Sequence, residues 1–278
     1  MSDFLATVVA ERQADAARSG PIARSGRARP SFADAIRARR RSGRIAVIAE
    51  VKRRSPALGA LAPDADPVGL ATAYADAGAA AISVLTEPRH WGGSVADLAA
   101  VANAVTVPVL YKDVVVDASQ LREAEAAGAS AVLLIAEALD DATLAAFVEA
   151  AVALGLTPVV EAHEHRAFAR AVQSGAVVVG VNARNLRLPA EIDRERVDAL
   201  HGLVRPDQLL VAESGIASAR DVEALPARVD AVLVGTALMT AADPGALVRE
   251  LAEARALPAR GRRAADPRAA EGSEGSRV

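Results

Sequence analysis

Residues Ile45–Pro56 read IAVIAEVKRRSP. The stretch opens as the unbroken apolar run that a strand buried on both faces requires, then changes at Glu50 into a carboxylate, an apolar residue and a lysine. Side chains two apart on a strand point the same way, so Glu50 and Lys52 face one space at the strand's carboxyl end. Parallel-sheet barrels keep their chemistry there.

The same grammar repeats along the chain: a short β-branched or leucine-rich run, a polar loop, then an alanine-rich amphipathic helix. Eight such runs occur, IAVIAEV from Ile45, AAISVL from Ala80, VPVLYK from Val107, SAVLLI from Ser130, TPVVE from Thr157, VVVGV from Val177, LLVAE from Leu209 and DAVLV from Asp230. Alternating strands and helices predict parallel strands with crossover helices, and eight units close a TIM barrel. The fold expected is α/β, a single (β/α)8 barrel over residues 45–257. Residues 1–44 form an N-terminal helical extension with a basic linker: a helix within 1–17, and a second one capped by Ser31 with Phe32, Ala35 and Ile36 turned inward. Nine arginines between Arg18 and Arg44 lack interleaved aromatics, so they read as a solvated linker rather than a nucleic-acid arm. Residues 258–278, rich in Arg, Ala, Gly and Pro, read as a disordered tail.

Composition narrows the function. The chain has 278 residues, 52% of them apolar, enough for a large core in one barrel. No apolar run approaches the roughly 20 residues of a membrane span, and MSDFLATVVAERQ has no basic region leading into an apolar segment, so the reading is cytoplasmic with no membrane partner. A net charge of −3 argues against a polyanion binder. The absence of cysteine excludes disulfides and thiolate chemistry, and four scattered histidines are a weak basis for a metal site, so no metal is assigned. Neither a dinucleotide fingerprint nor a P-loop motif occurs, and no cofactor is assigned.

Lysine occurs only at 52 and 112, against 30 arginines. An ammonium is compact and able to give up its proton, so lysine retained in an arginine-rich chain marks positions where arginine does not serve; the alternative is codon bias with two survivors. The other strand ends are also polar: Glu161 after strand five, Asn182 and Arg184 after six, Glu213 and Ser214 after seven, Gly235 and Thr236 after eight. Strand two leads through Thr86 and Glu87 to Trp91, the only tryptophan. Glu137 after strand four reads as solvated. Ser214-Gly215-Ile216 and Gly235-Thr236-Ala237 each lead into a helix at the last two strands, where barrels commonly hold phosphate. Three glutamates facing two lysines and an arginine form a coupled network suited to proton transfer.

The stretches IAEVKRRSP, ISVLTEPRHWGGS, VPVLYKD, VLLIAEAL, VVEAHE, GVNARNL, VAESGI and VLVGTALM, in order between Ile45 and Met239, resemble the indole-3-glycerol phosphate synthase family of tryptophan biosynthesis. The resemblance implies closure of 1-(2-carboxyphenylamino)-1-deoxyribulose 5-phosphate to indole-3-glycerol phosphate, with loss of carbon dioxide and water. It implies Lys112 as the acid for ring closure, Lys52 as the acid for dehydration, Glu161 as base or cation stabiliser with Glu50 positioning it, and Glu213 and Ser214 on the hydroxyl-binding side. Asn182 and Arg184 would hold the substrate carboxylate. Trp91, Leu133 and Leu186 would wall the ring, while Gly215, Ile216, Gly235 and Thr236 match the phosphate loops. Ser55 belongs to a first loop, running through Gly59 to Pro67, that is a candidate lid. Tyr111 and Val114 depart from the family's arginine and phenylalanine, and the second change removes an aromatic wall; Arg187-Leu188-Pro189-Ala190 is also unusual. The implied partner is a small phosphorylated substrate, and association with other tryptophan-pathway enzymes is left open. The rival readings are another phosphosugar-processing barrel, such as a Schiff-base aldolase, and a degenerate paralogue that binds a phosphorylated ligand or a partner enzyme.

Overall fold

The computed structural model describes residues 3–16 and 29–254. The tail expected over 258–278 and the linker arginines Arg18, Arg24 and Arg27 lie outside the described residues. Eight parallel strands close on themselves: β1 (Ala46–Val51), β2 (Ala81–Leu85), β3 (Val109–Lys112), β4 (Ala131–Ile135), β5 (Thr157–Ala162), β6 (Val178–Asn182), β7 (Leu209–Glu213) and β8 (Ala231–Val234). Each pairs with its sequence neighbours, and β1 pairs with β8 to complete a TIM barrel. The strands follow the apolar runs to within two residues. The largest difference, at β3, has a chemical cause: Pro108 has no N–H to donate and only accepts, from the Ile82 amide at 3.0 Å, so the ladder begins at Val109.

Strand alternation sorts two cores. Ala46, Ile48, Leu110, Leu133, Val159, Val211 and Leu233 fill the barrel, while Val47, Val84, Tyr111, Val160 and Val179 pack outward beneath the helices. Those helices are α3 (Pro67–Asp76), α4 (Val95–Ala104), α5 (Ala118–Ala126), α6 (Asp141–Ala153), α7 (His165–Gln173), α8 (Arg196–Leu200), α9 (Ala219–Glu223), α10 (Thr236–Thr240) and α11 (Pro244–Glu253). Asp66, Ser94, Asp117, Asp140, Ser218 and Asp243 cap six of them by accepting from first-turn amides, worth about 1 kcal/mol each.

The two extra helices, α1 (Phe4–Ala16) and α2 (Phe32–Arg41), stopper opposite ends of the barrel. Ser31 caps α2 as expected, and Phe32 and Ile36 enter the inner core, with Ala33 rather than Ala35 as the fully buried alanine. Part of the arginine-rich segment is not a solvated linker. Arg40 donates to the carbonyls of Ala227 (2.7 Å) and Val229 (3.0 Å), Arg39 to Ala252 (2.6 Å), and Arg29 to Ala129 (3.3 Å) and Leu154 (3.1 Å). Carbonyls left open at element ends need donors, and a guanidinium supplies several at once. Among the described residues no helix is long and apolar enough to cross a membrane.

Candidate active site

At the carboxyl end of the barrel the ionisable side chains point inward in one layer. Lys112 of β3 donates to Glu161 of β5 at 2.9 Å and to Glu213 of β7 at 2.7 Å. Lys52 lies 3.0 Å from Glu50. Glu50 also accepts from Ser83 at 3.4 Å. Glu50 therefore supports Lys52, whereas Glu161 is held by Lys112 and by the Asn182 amide at 3.4 Å. Asn182 accepts from the Ser214 hydroxyl at 2.9 Å and from the Arg184 amide at 3.0 Å.

Two glycines create the room for this layer. A Cβ at Gly180 would lie 2.5 Å from Glu213 Oε1, and one at Gly235 would lie 2.3 Å from Glu50 Oε1 and 3.0 Å from Lys52 Nζ. Gly180 lies inside β6, where glycine costs stability and marks a close approach, and Gly235 directly follows β8; at both the approaching groups are carboxylates.

The electrostatics separate the glutamates. Burial and the nearby charge of Glu161 push the Glu213 carboxyl up to about 8, so it holds a proton at neutral pH. Burial alone would raise Glu161 too, but the Lys112 charge overrides it and keeps Glu161 below the usual carboxylate range. Burial opposes the charge on Lys112, yet Glu161, Glu213 and Glu50 together raise it well above the ordinary ammonium value. The expected splitting of pKa values is present, and Lys112 is a firmly protonated acid rather than an amine close to neutrality.

These groups form the floor of a cavity walled by Trp91, Leu133 and Leu186, with Ser55, Pro56, Val114 and Ile135 also on it. Two wall residues have no signal in the sequence: Phe4 and Leu5 of α1. The amphipathic pattern predicts a helix there but does not say where it docks. Phe4 packs at 5.8 Å from Trp91 and edge-on to His90 at 5.0 Å, so the cavity keeps aromatic walls beside Val114. Tyr111 faces away from the cavity. Its hydroxyl donates to Glu123 at 2.8 Å, with Asp113 3.3 Å away, in the outer core.

A second pocket opens from the same floor and shares Glu50, Lys52, Arg184 and Ser214 with it; Gly215, Ile216, Gly235 and Thr236 line it. Ser214 and Gly215 both take left-handed backbone angles, φ 68° and 78°, which turn the chain sharply after β7. Arg184 is half-buried and donates to the Pro189 carbonyl, and Arg187 pairs with Asp3 at 2.6 Å, so the unusual Arg187–Ala190 stretch braces both Arg184 and α1. The first loop is a short hairpin, Arg54–Ser55 against Gly59–Ala60, with Leu58 exposed at its tip.

Glu137 is not solvated. Its side chain is 2% exposed and accepts from the amides of His163 (2.8 Å) and Glu164 (2.9 Å), capping the start of α7 from the end of β4. The tertiary fold supplies a cap that α7 lacks locally.

An eight-stranded parallel barrel with lysines and carboxylates converging under an apolar-walled cavity defines an acid–base enzyme of the TIM-barrel class. The profile of the indole-3-glycerol phosphate synthase family matches residues 5–251. An indole-3-glycerol phosphate synthase of Parafrankia sp. is 51% identical over 220 residues, covering 79% of this chain and 82% of the relative. One of Streptomyces griseus is 47% identical over 253 residues, covering 90% and 93%. The chain belongs to the indole-3-glycerol phosphate synthase family. Solved structures share the fold at low identity. A tryptophan synthase chain of Mycobacterium tuberculosis superposes with a TM-score of 0.62 at 18% identity, over 83% of this chain and all of the other. The 3-hexulose-6-phosphate synthase of Salmonella typhimurium gives 0.60 at 19%, over 76% and 98%.

Proposed function

We propose that the chain performs its family's reaction, converting 1-(2-carboxyphenylamino)-1-deoxyribulose 5-phosphate into indole-3-glycerol phosphate, carbon dioxide and water. The observation that carries the site assignment is Lys112, clamped between Glu161 and Glu213 beneath an aromatic-walled cavity. A Schiff base would need a neutral amine, and the ionised Glu161 carboxylate against the ammonium favours the charged form instead.

Lys112 protonates the ketone oxygen as the ring carbon bearing the carboxylate attacks the carbonyl carbon. The new bond leaves a cation on the aromatic ring and its nitrogen, beside Glu161. Carbon dioxide departs and its bonding pair returns to the ring. Lys52 then protonates the new hydroxyl, water leaves with nitrogen's help, and Glu161 removes a proton from the adjacent CH2 to complete the indole. Two protons are given and one is taken back, the balance expected when a carboxylate leaves as carbon dioxide. Glu50 holds Lys52, and the neutral Glu213 donates to a substrate oxygen. Asn182 and Arg184 orient the substrate carboxylate, the guanidinium through a planar fork. The phosphate lies at Ser214–Ile216 and Gly235–Thr236, in the pocket that shares Lys52 and Arg184 with the floor.

The test is indole fluorescence after mixing protein and substrate in a metal chelator, with Lys112→Arg in parallel. The expected result is turnover by the wild type and a fall of about 10²–10⁴-fold in the variant, with substrate binding retained, the range a general acid contributes. Near-normal turnover in Lys112→Arg would remove Lys112 from the role. Binding without turnover by the wild type would favour a degenerate ligand-binding paralogue.

A further inference from the structure

We propose that Glu87 is a positioning residue that fixes the indole of Trp91 as a wall of the substrate-ring pocket and thereby sets affinity for the ring. This rests on reading the aromatic-walled cavity as the ring site.

Glu87 follows β2 and is 0% exposed. No ion pair joins it among the described residues. Its carboxylate is taken up by main-chain groups of its own loop: Oε1 accepts from the Arg89 amide at 2.9 Å, and Oε2 from the amides of His90 at 2.6 Å and Trp91 at 3.0 Å. Three consecutive N–H groups thus converge on one buried anion. Charge-assisted bonds of this kind are roughly twice as strong as neutral ones. The backbone of Glu87 closes the same loop, its carbonyl accepting from the Gly93 amide at 2.9 Å. The turn folds so tightly onto β2 that a Cβ at Gly93 would lie 2.1 Å from the Leu85 carbonyl oxygen. On its other side, the Trp91 carbonyl accepts from the Arg54 amide at 3.2 Å. Both polar groups of the Trp91 main chain are therefore pinned, one by Glu87 and one by Arg54, and its indole is held over the cavity against Phe4.

Glutamine cannot replace Glu87. Its oxygen could keep the His90 and Trp91 amides, but its NH2 would then point donor to donor at the Arg89 amide, leaving a buried N–H unmet. The loop would relax, and Trp91 with it.

Trp91 is the only tryptophan, so its emission reports on this loop alone. In unliganded Glu87→Gln the emission should shift to the red and acrylamide quenching should increase, with far-ultraviolet circular dichroism unchanged. In turnover, KM for the carboxyphenylamino-deoxyribulose phosphate should rise on the order of tenfold, the scale of taking one aromatic neighbour away from a bound ring, with kcat held within about twofold. In a Trp91→Ala background, which raises KM by itself, adding Glu87→Gln should raise it no further. Wild-type emission and KM in Glu87→Gln, or an undiminished additional KM effect without Trp91, would overturn the proposal. If Glu87→Gln does not fold, Glu87→Asp keeps the charge but is one methylene too short to reach all three amides. More quenching with a higher KM would support the proposal there, and wild-type values of both would overturn it. Failure of the synthase reading would appear separately, as absent turnover in the wild type, while the emission comparison still reported the hold of Glu87 on Trp91.

Discussion

At Gly235 the missing side chain matters as much as the backbone. The sequence places this glycine in an anion loop, whereas the geometry puts its α-carbon against the Glu50–Lys52 pair. Gly235→Ala separates the two roles. We expect kcat to fall at least tenfold while competitive inhibition by inorganic phosphate keeps its strength, because a Cβ intrudes on the pair and not on the loop amides. Loss of phosphate affinity with kcat intact would return Gly235 to the anion role alone. Glu213 makes a prediction about pH. Its folded value of about 8 lies above the roughly 4.3 of an unfolded glutamate. The folded chain therefore binds an extra proton between the two values, and the associated stability is complete below about 4.3 and lost as pH rises through about 8. Glu161, held low, is already ionised across that window and adds no slope. Urea midpoints should accordingly fall between pH 5 and 8.5 in the wild type, and fall less in Glu213→Gln, whose amide stays neutral throughout. Parallel profiles would mean that Glu213 ionises normally.

A buried ion pair joins α1 to the catalytic face. Arg12 donates to Asp113 through Nε at 2.8 Å and Nη2 at 3.0 Å, next in sequence to Lys112. Asp113 also accepts from the Thr86 hydroxyl at 2.7 Å, and burial raises it to about 6 even against the Arg12 charge. Removing one partner of such a pair costs about 3–5 kcal/mol, chiefly by stranding the other. Arg12→Met should lose that much by urea denaturation, and Arg12→Met with Asp113→Asn should recover a large part of it; a double variant no better than the single would deny the coupling. This bond is not legible in the sequence, and the reason is general. Strand alternation and lysine scarcity are short-range or compositional signals, and they locate β1–β8, Lys52 and Lys112. Arg12 and Asp113 stand 101 residues apart, and nothing local in either says that they meet. Glu137 reads as solvated for the same reason, since its partners belong to the next strand's exit, and Tyr111 stands out as a departure although β-alternation turns it outward, away from the cavity.

On the scale of the molecule, ring closure makes the strands interdependent. β1 has β2 on one side and β8 on the other, with Ala46 opposite Ala231 and Glu50 opposite Ser83. Ending the chain after Arg228 would open both seams of β8 and bare the inner core. We expect that product to show no cooperative thermal transition by circular dichroism; a sharp transition would mean that seven strands can hold the core without closure.

The bond from Arg187 to Asp3 bridges 184 positions. At roughly 5–20 residues added per second, a ribosome needs roughly 10–40 s to travel that distance. For that interval α1 has no Arg187 to meet and no complete barrel mouth to cover. Its apolar face, with Leu5 and Val8, is left to the surroundings until the sixth strand and its loop emerge. The wall of the cavity that is made first waits on a loop made 184 residues later.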